Sequence, residues 1–201
     1  MAEIGPSTIE ALRRGDEQAY TAVIEELTAP VYRFLLRLSG DSGTAEDLTQ
    51  ETFLAVWQGV GSFVQRSRFK TWVFGIAYRQ FLRHRDKRTV DTVPLEEWHG
   101  LSDSSDRSDP SDLAVAGDEQ ERVRRAVYSL PDPYRAVVCL VHFEGLSYRE
   151  AAEISDIPVG TVKSRMYGAF KLLREKLGGN EVEGYEMRES ESLPGQRTKI
   201  L

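Results

Sequence analysis

The stretch Gly145–Arg165, with the sequence GLSYREAAEISDIPVGTVKSR, predicts two short helices joined by a tight turn. Ser147 and Glu150 stand three residues apart, which is the spacing of a capping box at the start of the first helix. Pro158 limits how far back the second helix can begin, because proline disfavours a helix interior. This pattern is typical of a helix-turn-helix, whose second helix lies in a DNA major groove. An ordinary helical hairpin is the alternative.

The second helix of this pair has an apolar side and a basic side. Thr161 is either its cap or a residue of its first turn. Lys163, Arg165 and Lys171 are left for the outside, where cations could meet phosphates. The apolar residues recur at helical spacing and are Val162, Met166, Ala169, Phe170, Leu172 and Leu173.

The composition is that of a globular chain with room for one or two domains. Of the 201 residues, 40% are hydrophobic and 29% are charged. No apolar run approaches the roughly 20 residues of a membrane span, and residues 1–15 do not resemble a signal peptide. The single cysteine, Cys139, cannot form an internal disulfide and is expected to be buried. We therefore expect a cytoplasmic protein without membrane insertion.

The net charge of -6 conceals an uneven distribution of charge along the chain. Residues 59–90 carry 8 basic and 1 acidic side chains, whereas residues 91–120 carry 1 basic and 9 acidic. An acidic block can offset a basic surface in the total without covering it in space. It also lowers non-specific affinity for duplex DNA, which rises with the number of phosphates neutralised. A nucleic-acid-binding surface is therefore compatible with the acidic total.

Residues 7–39 are predicted to be helical. Ser7 or Thr8 can cap a short first helix, and a longer second helix begins near Asp16. The second helix carries a wide apolar stripe that is best explained as core. Pro30 is expected to kink or split it.

Residues 44–58 predict a helix with two distinct faces, capped by Thr44. Phe53, Val56 and Trp57 belong to an apolar face. A second face holds the residues at i, i+3, i+4 and i+7, which are Asp47, Gln50, Glu51 and Leu54. This acidic face is either a solvated surface or a docking face for a basic partner helix.

Residues 69–88 predict a helix in which aromatic side chains alternate with Arg and Lys. The rings stand at positions 69, 72, 74, 78 and 81 and occupy more than one helix face, so they are not all expected in the core. Rings among cations suit single-stranded nucleic acid, because bases stack on rings at roughly 1–3 kcal/mol each while cations follow the phosphates. A core helix with a basic tail is the alternative.

Taken together, these segments predict an all-α chain of two small helical domains. Serine, proline and acidic residues between the two domains indicate a flexible linker. Two helices within 119–143 complete a four-helix module with the helix-turn-helix. The predicted divisions are a first domain at 1–89, an acidic linker at 90–118, a second domain at 119–177 and a flexible tail at 178–201.

In order and spacing, these pieces resemble the bacterial sigma-70 family of RNA polymerase sigma factors, in its small extracytoplasmic-function (ECF) group. The resemblance covers roughly residues 10–177. The matching pieces are AEDLTQETF (Ala45–Phe53), FKTWVFGIA (Phe69–Ala77), Leu130-Pro131 with Tyr134-Arg135, EGLSYREAA (Glu144–Ala152) and PVGTVKSR (Pro158–Arg165).

For the first domain, the resemblance implies binding to core RNA polymerase and to the promoter -10 element. Asp47, Gln50, Glu51 and Leu54 would contact the clamp helices of the β′ subunit. The -10 element would be melted, and one non-template base flipped into a pocket near the loop 61–68, with Phe63 as the stacking residue. Phe69, Trp72 and Phe74 would form the core that supports this pocket. The -10 contacts implied are Phe63, Arg66, Arg68, Lys70, Trp72, Arg79 and Arg83.

For the second domain, the resemblance implies recognition of the -35 element as duplex and packing on the β flap. The residues implied are Tyr148, Arg149, Thr161, Lys163, Ser164, Arg165 and Tyr167. Such factors are commonly held inactive by an anti-sigma protein. The chain departs from the family at Gly168 and Phe170, where further arginines are usual, so we expect weaker -35 binding. It also departs at Tyr78, Arg79 and Arg83.

The sequence also allows two other classes of function, which explain fewer of its features. A stand-alone helix-turn-helix regulator that binds as a dimer explains the second domain but not the basic aromatic helix. An enzyme is disfavoured, because His84, His99 and His142 are scattered and neither a metal-ligand spacing nor a nucleophile motif is visible. No catalytic residue, metal or cofactor is expected, and the polymerase would perform the catalysis.

Overall fold

The computed structural model describes residues 4–64, 67–91 and 118–177, and within these ranges the chain is helical without any strand. The all-α prediction is therefore confirmed for the described residues. The first domain contains α1 (Pro6–Arg13), α2 (Glu17–Ser39), α3 (Ser42–Gly59), a 3₁₀ turn (Val60–Ser62) and α4 (Phe69–Asp91). The second contains α5 (Asp118–Tyr128), α6 (Asp132–Val138), a π turn (Cys139–Phe143), α7 (Tyr148–Ser155) and α8 (Val159–Leu177).

The start of α1 differs from the prediction. Pro6 is its first residue and Gly5 precedes it without any side-chain cap, so neither Ser7 nor Thr8 caps the helix. Proline is favoured at a first helical position because its φ is already set and its missing N–H would be unpaired there anyway.

The predicted start of α2 near Asp16 is confirmed. Pro30, however, does not split the helix. The Asp16 carboxylate accepts hydrogen bonds from the backbone N–H groups of Gln18 and Ala19 at 2.9 and 3.0 Å. Pro30 lies buried inside one continuous helix. Its missing N–H removes one bond of the helix. Tertiary packing of the apolar face, which supplies most helix stability in proteins, keeps the two halves together.

Asp41, rather than Thr44, caps α3. Its carboxylate accepts a hydrogen bond from the Thr44 N–H at 2.8 Å, and its backbone is extended, as an N-cap requires. Gly40 ends the preceding helix with φ +71°, a left-handed conformation that glycine adopts without steric cost. The turn between α2 and α3 is therefore shorter than the sequence predicted.

The first-domain core lies where α2, α3 and α4 pack together. The rings of Phe34 and Phe74 meet there with centroids 5.2 Å apart. Aliphatic side chains surround them, and the fully buried ones include Val23, Val31, Leu35, Val56 and Val73. Burial of each such side chain contributes roughly 1.5–3 kcal/mol against the entropy of folding.

The second domain is the predicted four-helix module. The capping box is present: the Ser147 hydroxyl accepts from the Glu150 N–H at 3.2 Å, and the Glu150 carboxylate accepts from the Ser147 N–H at 2.8 Å. Asp156 ends α7 in the left-handed conformation, with φ 52°. Cys139 is a buried free thiol, as predicted, and burial raises its pKa to about 12. Such a thiol stays protonated and unreactive.

The two domains contact each other directly, mainly where α4 lies against α7 and where α2 meets α6 and the π turn. The predicted linker falls almost entirely on residues 92–117, and the tail on 178–201; both lie outside the described residues. None of the described helices is long and apolar enough to cross a membrane.

Candidate functional site

The predicted acidic face of α3 points to solvent. All four of its residues are exposed, including the apolar Leu54 at 56%. Phe53 and Val56, on the opposite face, are buried in the domain core. The helix therefore presents carboxylates, an amide and one leucine together, which suits a partner helix with both basic and apolar residues. These four residues are Asp47, Gln50, Glu51 and Leu54.

Trp57, which the sequence analysis grouped with Phe53 and Val56 on the apolar face, lies at the edge of the acidic face instead. It is 37% exposed, and its ring meets Tyr20 edge-on with centroids 4.7 Å apart. The Tyr20 hydroxyl donates to the Phe53 carbonyl at 2.7 Å, and burial raises the pKa of this phenol. With Glu17 and Leu54, these rings line a shallow depression beside the acidic face. The apolar pattern did not reveal that Trp57 lies at the edge of the packed helices.

Phe63 is not available to an unpaired base. It is 3% exposed, and its ring packs against Phe69 and Trp72 with centroids 5.4 and 5.1 Å away. Its carbonyl also accepts a hydrogen bond from the Arg13 guanidinium. In this arrangement Phe63 has no open ring face for a flipped base, because contact with two neighbouring rings keeps this apolar side chain out of water.

The remaining loop residues before α4 are only partly described. Val64, directly after Phe63, is exposed. Arg66, one of the predicted -10 contacts, lies outside the described residues. Phe69 is buried and Trp72 is partly buried, as the supporting role required.

The rings of α4 are nearly all core, contrary to the expectation from their spread around the helix. Phe69, Phe74, Tyr78 and Phe81 are buried, and Trp72 alone among the five rings is partly exposed. The physical reason is that α4 is covered on several sides, by α2 and α3 of its own domain and by α7 of the other. A helix with neighbours all round can bury rings on more than one face.

The cations predicted to follow the -10 strand differ in their surroundings. Arg68, Arg79 and Arg83 have exposed side chains. Lys70 is partly buried, and its ammonium group donates to the Glu144 carbonyl of the second domain at 2.8 Å. The basic side of α4 is therefore partly occupied by the second domain.

The predicted -35 surface on α8 lies mostly open to solvent. Lys163, Ser164 and Tyr167 are exposed, Tyr167 at 69%. Thr161 lies in the first turn of α8 and its N–H donates to the Pro158 carbonyl at 2.9 Å, so it is not the cap. The Thr161 carbonyl accepts from the Ser164 hydroxyl at 3.0 Å.

The other -35 candidates flank this surface. Arg149 on α7 is exposed, while Tyr148 is partly buried against the core. Arg165 is also partly buried and lies near Tyr78 of the first domain. Burial raises the pKa of Tyr78, and the Arg165 guanidinium counteracts part of that rise.

Gly168 and Phe170 face the interior of the second domain rather than DNA. A Cβ atom at position 168 would lie 2.6 Å from the Tyr134 ring, so glycine is required for α6 to approach α8. Phe170 is partly buried against the core. An arginine at either position would not extend the exposed face of α8. The expectation that these two residues weaken -35 binding therefore has no support in the geometry.

The geometry defines a two-domain helical protein with an exposed acidic face on one domain and a basic helix-turn-helix on the other. In the described ranges, no group of three or more His, Cys, Asp or Glu side chains could hold a metal ion.

Comparison with known proteins assigns the family. Residues 23–90 match Sigma-70 region 2, and residues 120–173 match Sigma-70, region 4. The chain is 30% identical over 176 residues to the ECF RNA polymerase sigma-E factor of Escherichia coli, covering 84% of this chain and 92% of that protein. It is 29% identical over 176 residues to the ECF sigma factor SigW of Bacillus subtilis, covering 84% and 94%.

Among solved structures, the sigma factor RpoE of Bartonella quintana, in complex with the anti-sigma factor NepR, is similar at 28% identity. Its TM-score is 0.59, and the match covers 79% of this chain and 96% of that one. The chain therefore belongs to the ECF group of the sigma-70 family and is a promoter-recognition subunit of RNA polymerase. A stand-alone helix-turn-helix regulator does not account for the match of the first domain to region 2.

Proposed function

We propose that the chain joins core RNA polymerase through the acidic face of α3 and reads a two-part promoter with its two domains. The observation that carries this proposal is the separation of two exposed surfaces of opposite character. Asp47, Glu51 and Leu54 form an acidic and apolar surface on the first domain, suited to the β′ clamp helices. Lys163 and Tyr167 belong to a basic surface on the second domain, suited to a major groove.

The first domain, which we place at 1–89, would hold the melted -10 strand along the basic side of α4. Arg68, Lys70, Arg79 and Arg83 supply the positive charge there, Arg66 precedes them in the sequence, and Trp72 is the ring of α4 with accessible surface. Exposed cations that track phosphates give affinity for single strands without sequence preference. The flipped base would require this loop to rearrange, because Phe63 is packed away.

The second domain, which we place at 119–177, would read the -35 element as duplex and pack on the β flap. Lys163, Ser164, Arg165 and Tyr167 would face the groove from the first half of α8, with Thr161 at its start. Tyr148 and Arg149, at the start of α7, would contact the DNA backbone. A helix-turn-helix places the N-terminal part of its second helix against base edges in this way.

Several further properties follow from this role. The polymerase would perform the catalysis, so the chain itself would not be an enzyme. It would act in the cytoplasm, where promoter DNA is found. The Bartonella quintana relative is bound by an anti-sigma factor. We infer that an anti-sigma protein also holds this chain.

The proposal is tested by reconstitution with purified core polymerase. The full chain should associate with core and direct initiation from a promoter carrying both elements, measured by run-off transcription with mapping of the start site. Failure to bind core and to direct initiation would exclude the proposed function.

Two pairs of substitutions separate the roles of the domains. Asp47→Ala with Glu51→Ala should abolish core association but leave duplex -35 binding unchanged. Lys163→Ala with Arg165→Ala should weaken duplex binding and lower the slope of its salt dependence by up to about 2, while core association stays intact. If both properties fell together in either variant, the division between the domains would be wrong.

A further inference from the structure

The contact between the two domains brings basic residues of the first against acidic residues of the second. Glu144, at the end of the π turn, has a side chain only 6% exposed. Its carboxylate lies 3.8 Å from the Lys70 ammonium group and 3.6 Å from the Arg37 guanidinium. The Arg37 guanidinium also lies over the Phe143 ring, 4.3 Å from its centroid. One carboxylate of the second domain therefore sits between two cations of the first.

A second acidic contact uses the capping box of the helix-turn-helix. Glu150 keeps one oxygen on Ser147 and turns the other toward the first domain. That second oxygen accepts from the Thr71 hydroxyl at 3.0 Å and lies 3.8 Å from the Arg68 Nε. Thr71 itself is buried. The cap that starts α7 is thus also a docking point for α4.

Other charges follow the same arrangement along α4. Arg85 lies 3.7 Å from the Asp132 carboxylate at the start of α6. Arg165 of α8 is partly buried beside Tyr78. The described contacts therefore occupy cations at the start of α4, since Arg68 and Lys70 flank its first residue.

We call Glu144 and Glu150 the carboxylate latch. We propose that the closed arrangement is autoinhibitory: the carboxylate latch occupies Arg68 and Lys70 in place of DNA phosphates, and an incoming single strand competes with it. This inference rests on the proposed -10 role of those two cations. In the closed state they are paired within the chain, so apparent affinity for a strand falls with the fraction of molecules that are open.

The energetics favour a latch that can be released. Burial raises the pKa of Glu144, and the nearby Lys70, Arg37 and Arg33 lower it only in part. The buried carboxylate therefore costs more to desolvate than its cations return. The Glu150 contact with Arg68 lies at an exposed guanidinium, where an ion pair contributes little. A strand that offers several phosphates at once can outcompete such contacts.

The substitution Arg37→Glu tests the proposal, because the proposal predicts that affinity for a single strand rises although a positive charge is lost. Arg37 lies outside the surfaces proposed for DNA and polymerase, and a glutamate there would face the Glu144 carboxylate. The variant should open the chain, seen as a larger radius of gyration in small-angle X-ray scattering. It should also bind a fluorescently labelled strand of about 20 thymidines at least about threefold more tightly, measured by anisotropy.

Arg14→Glu is the matched control. It makes the same change of charge at an exposed position directly after α1, and Arg14 forms none of the ion pairs of the domain contact. Loss of positive charge by itself weakens binding to a polyanion, so this control should bind the strand equally or more weakly. Its radius of gyration should equal that of the wild-type chain. Tighter binding by Arg37→Glu alone would therefore report opening.

Glu150→Gln provides a second variant if Arg37→Glu does not fold. Glutamine can still complete the capping box, so α7 should keep its start while the charge facing Arg68 is lost. We expect binding about twofold tighter than for Glu153→Gln, an exposed neighbour on the same helix.

Equal radii of gyration for Arg37→Glu and Arg14→Glu, with binding weakened in both, would overturn the latch. So would identical binding by Glu150→Gln and Glu153→Gln. Scattering requires neither DNA nor polymerase, so it reports closure even if reconstitution rejects the proposed function. Opening without tighter strand binding would show a domain contact that does not inhibit, and would also overturn the proposal.

Discussion

The two basic helices, α4 and α8, have similar sequences in outline but opposite surroundings. Each places aromatic side chains among arginines and lysines. On α8, Tyr167 is exposed next to Lys163 and Ser164. On α4 most rings are buried, and Lys70 donates to the other domain. A basic aromatic pattern therefore does not by itself distinguish a binding surface from a packing surface.

The largest expected difference comes from removing one ring that packs against α4 and one ring that α8 exposes. Phe63→Ala should lower the free energy of unfolding by about 3–5 kcal/mol, because it empties a buried three-ring cluster. Tyr167→Ala should change stability by less than about 0.5 kcal/mol, because that ring is exposed. Thermal and denaturant unfolding followed by circular dichroism measures both. Equal stability of the two variants would mean that Phe63 is not packed as described.

A smaller effect concerns the two glycines of α8. Gly168→Ala should destabilise the second domain by about 1–3 kcal/mol, because the new methyl group would press on the Tyr134 ring. Gly160→Ala, in the first turn of the same helix, meets nothing within 4 Å and should be neutral or slightly stabilising. Differential unfolding of the two variants checks this. A stable Gly168→Ala protein would show that Tyr134 can move aside.

The smallest expected effect is a change in the pH dependence of stability, caused by Glu150 at the domain contact. Burial tends to raise the pKa of Glu150, but hydrogen bonds from Ser147 and Thr71, with the charge of Arg68, lower it on balance. An acid with a depressed folded pKa adds stability above its unfolded value of 4.5, and that stability is lost as pH falls through the folded pKa. Wild type should therefore lose more stability than Glu150→Gln between about pH 5 and pH 3. Parallel melting curves in that range would contradict it.

Local features of the fold were predictable where a side chain bonds to backbone within three residues. Asp16 and the Ser147–Glu150 capping box are such cases, and both are as predicted. The start of α3 was not, because Asp41 and Thr44 are both capable caps. Only the extended backbone at Asp41 decides between them.

The candidate site likewise has features that follow from spacing within one helix and features that depend on contacts between distant residues. The acidic face of α3 follows from helical spacing alone, and all four of its residues are exposed. The burial of Phe63, the packing requirement at Gly168 and the pairing of Lys70 with Glu144 join residues far apart in the chain. No periodicity within one helix contains that information, since it depends on which second element lies across the contact.

Patterns within the sequence were enough to predict that this chain is helical, where α2, α4 and α7 begin, and which faces of α3 and α8 carry charge, because these properties depend on neighbours about one turn away. Which rings are core and which cations are already paired became visible only in the packed helices. Burial and ion pairing are properties of two surfaces in contact, and α4 acquires its second surface only when α7 packs against it.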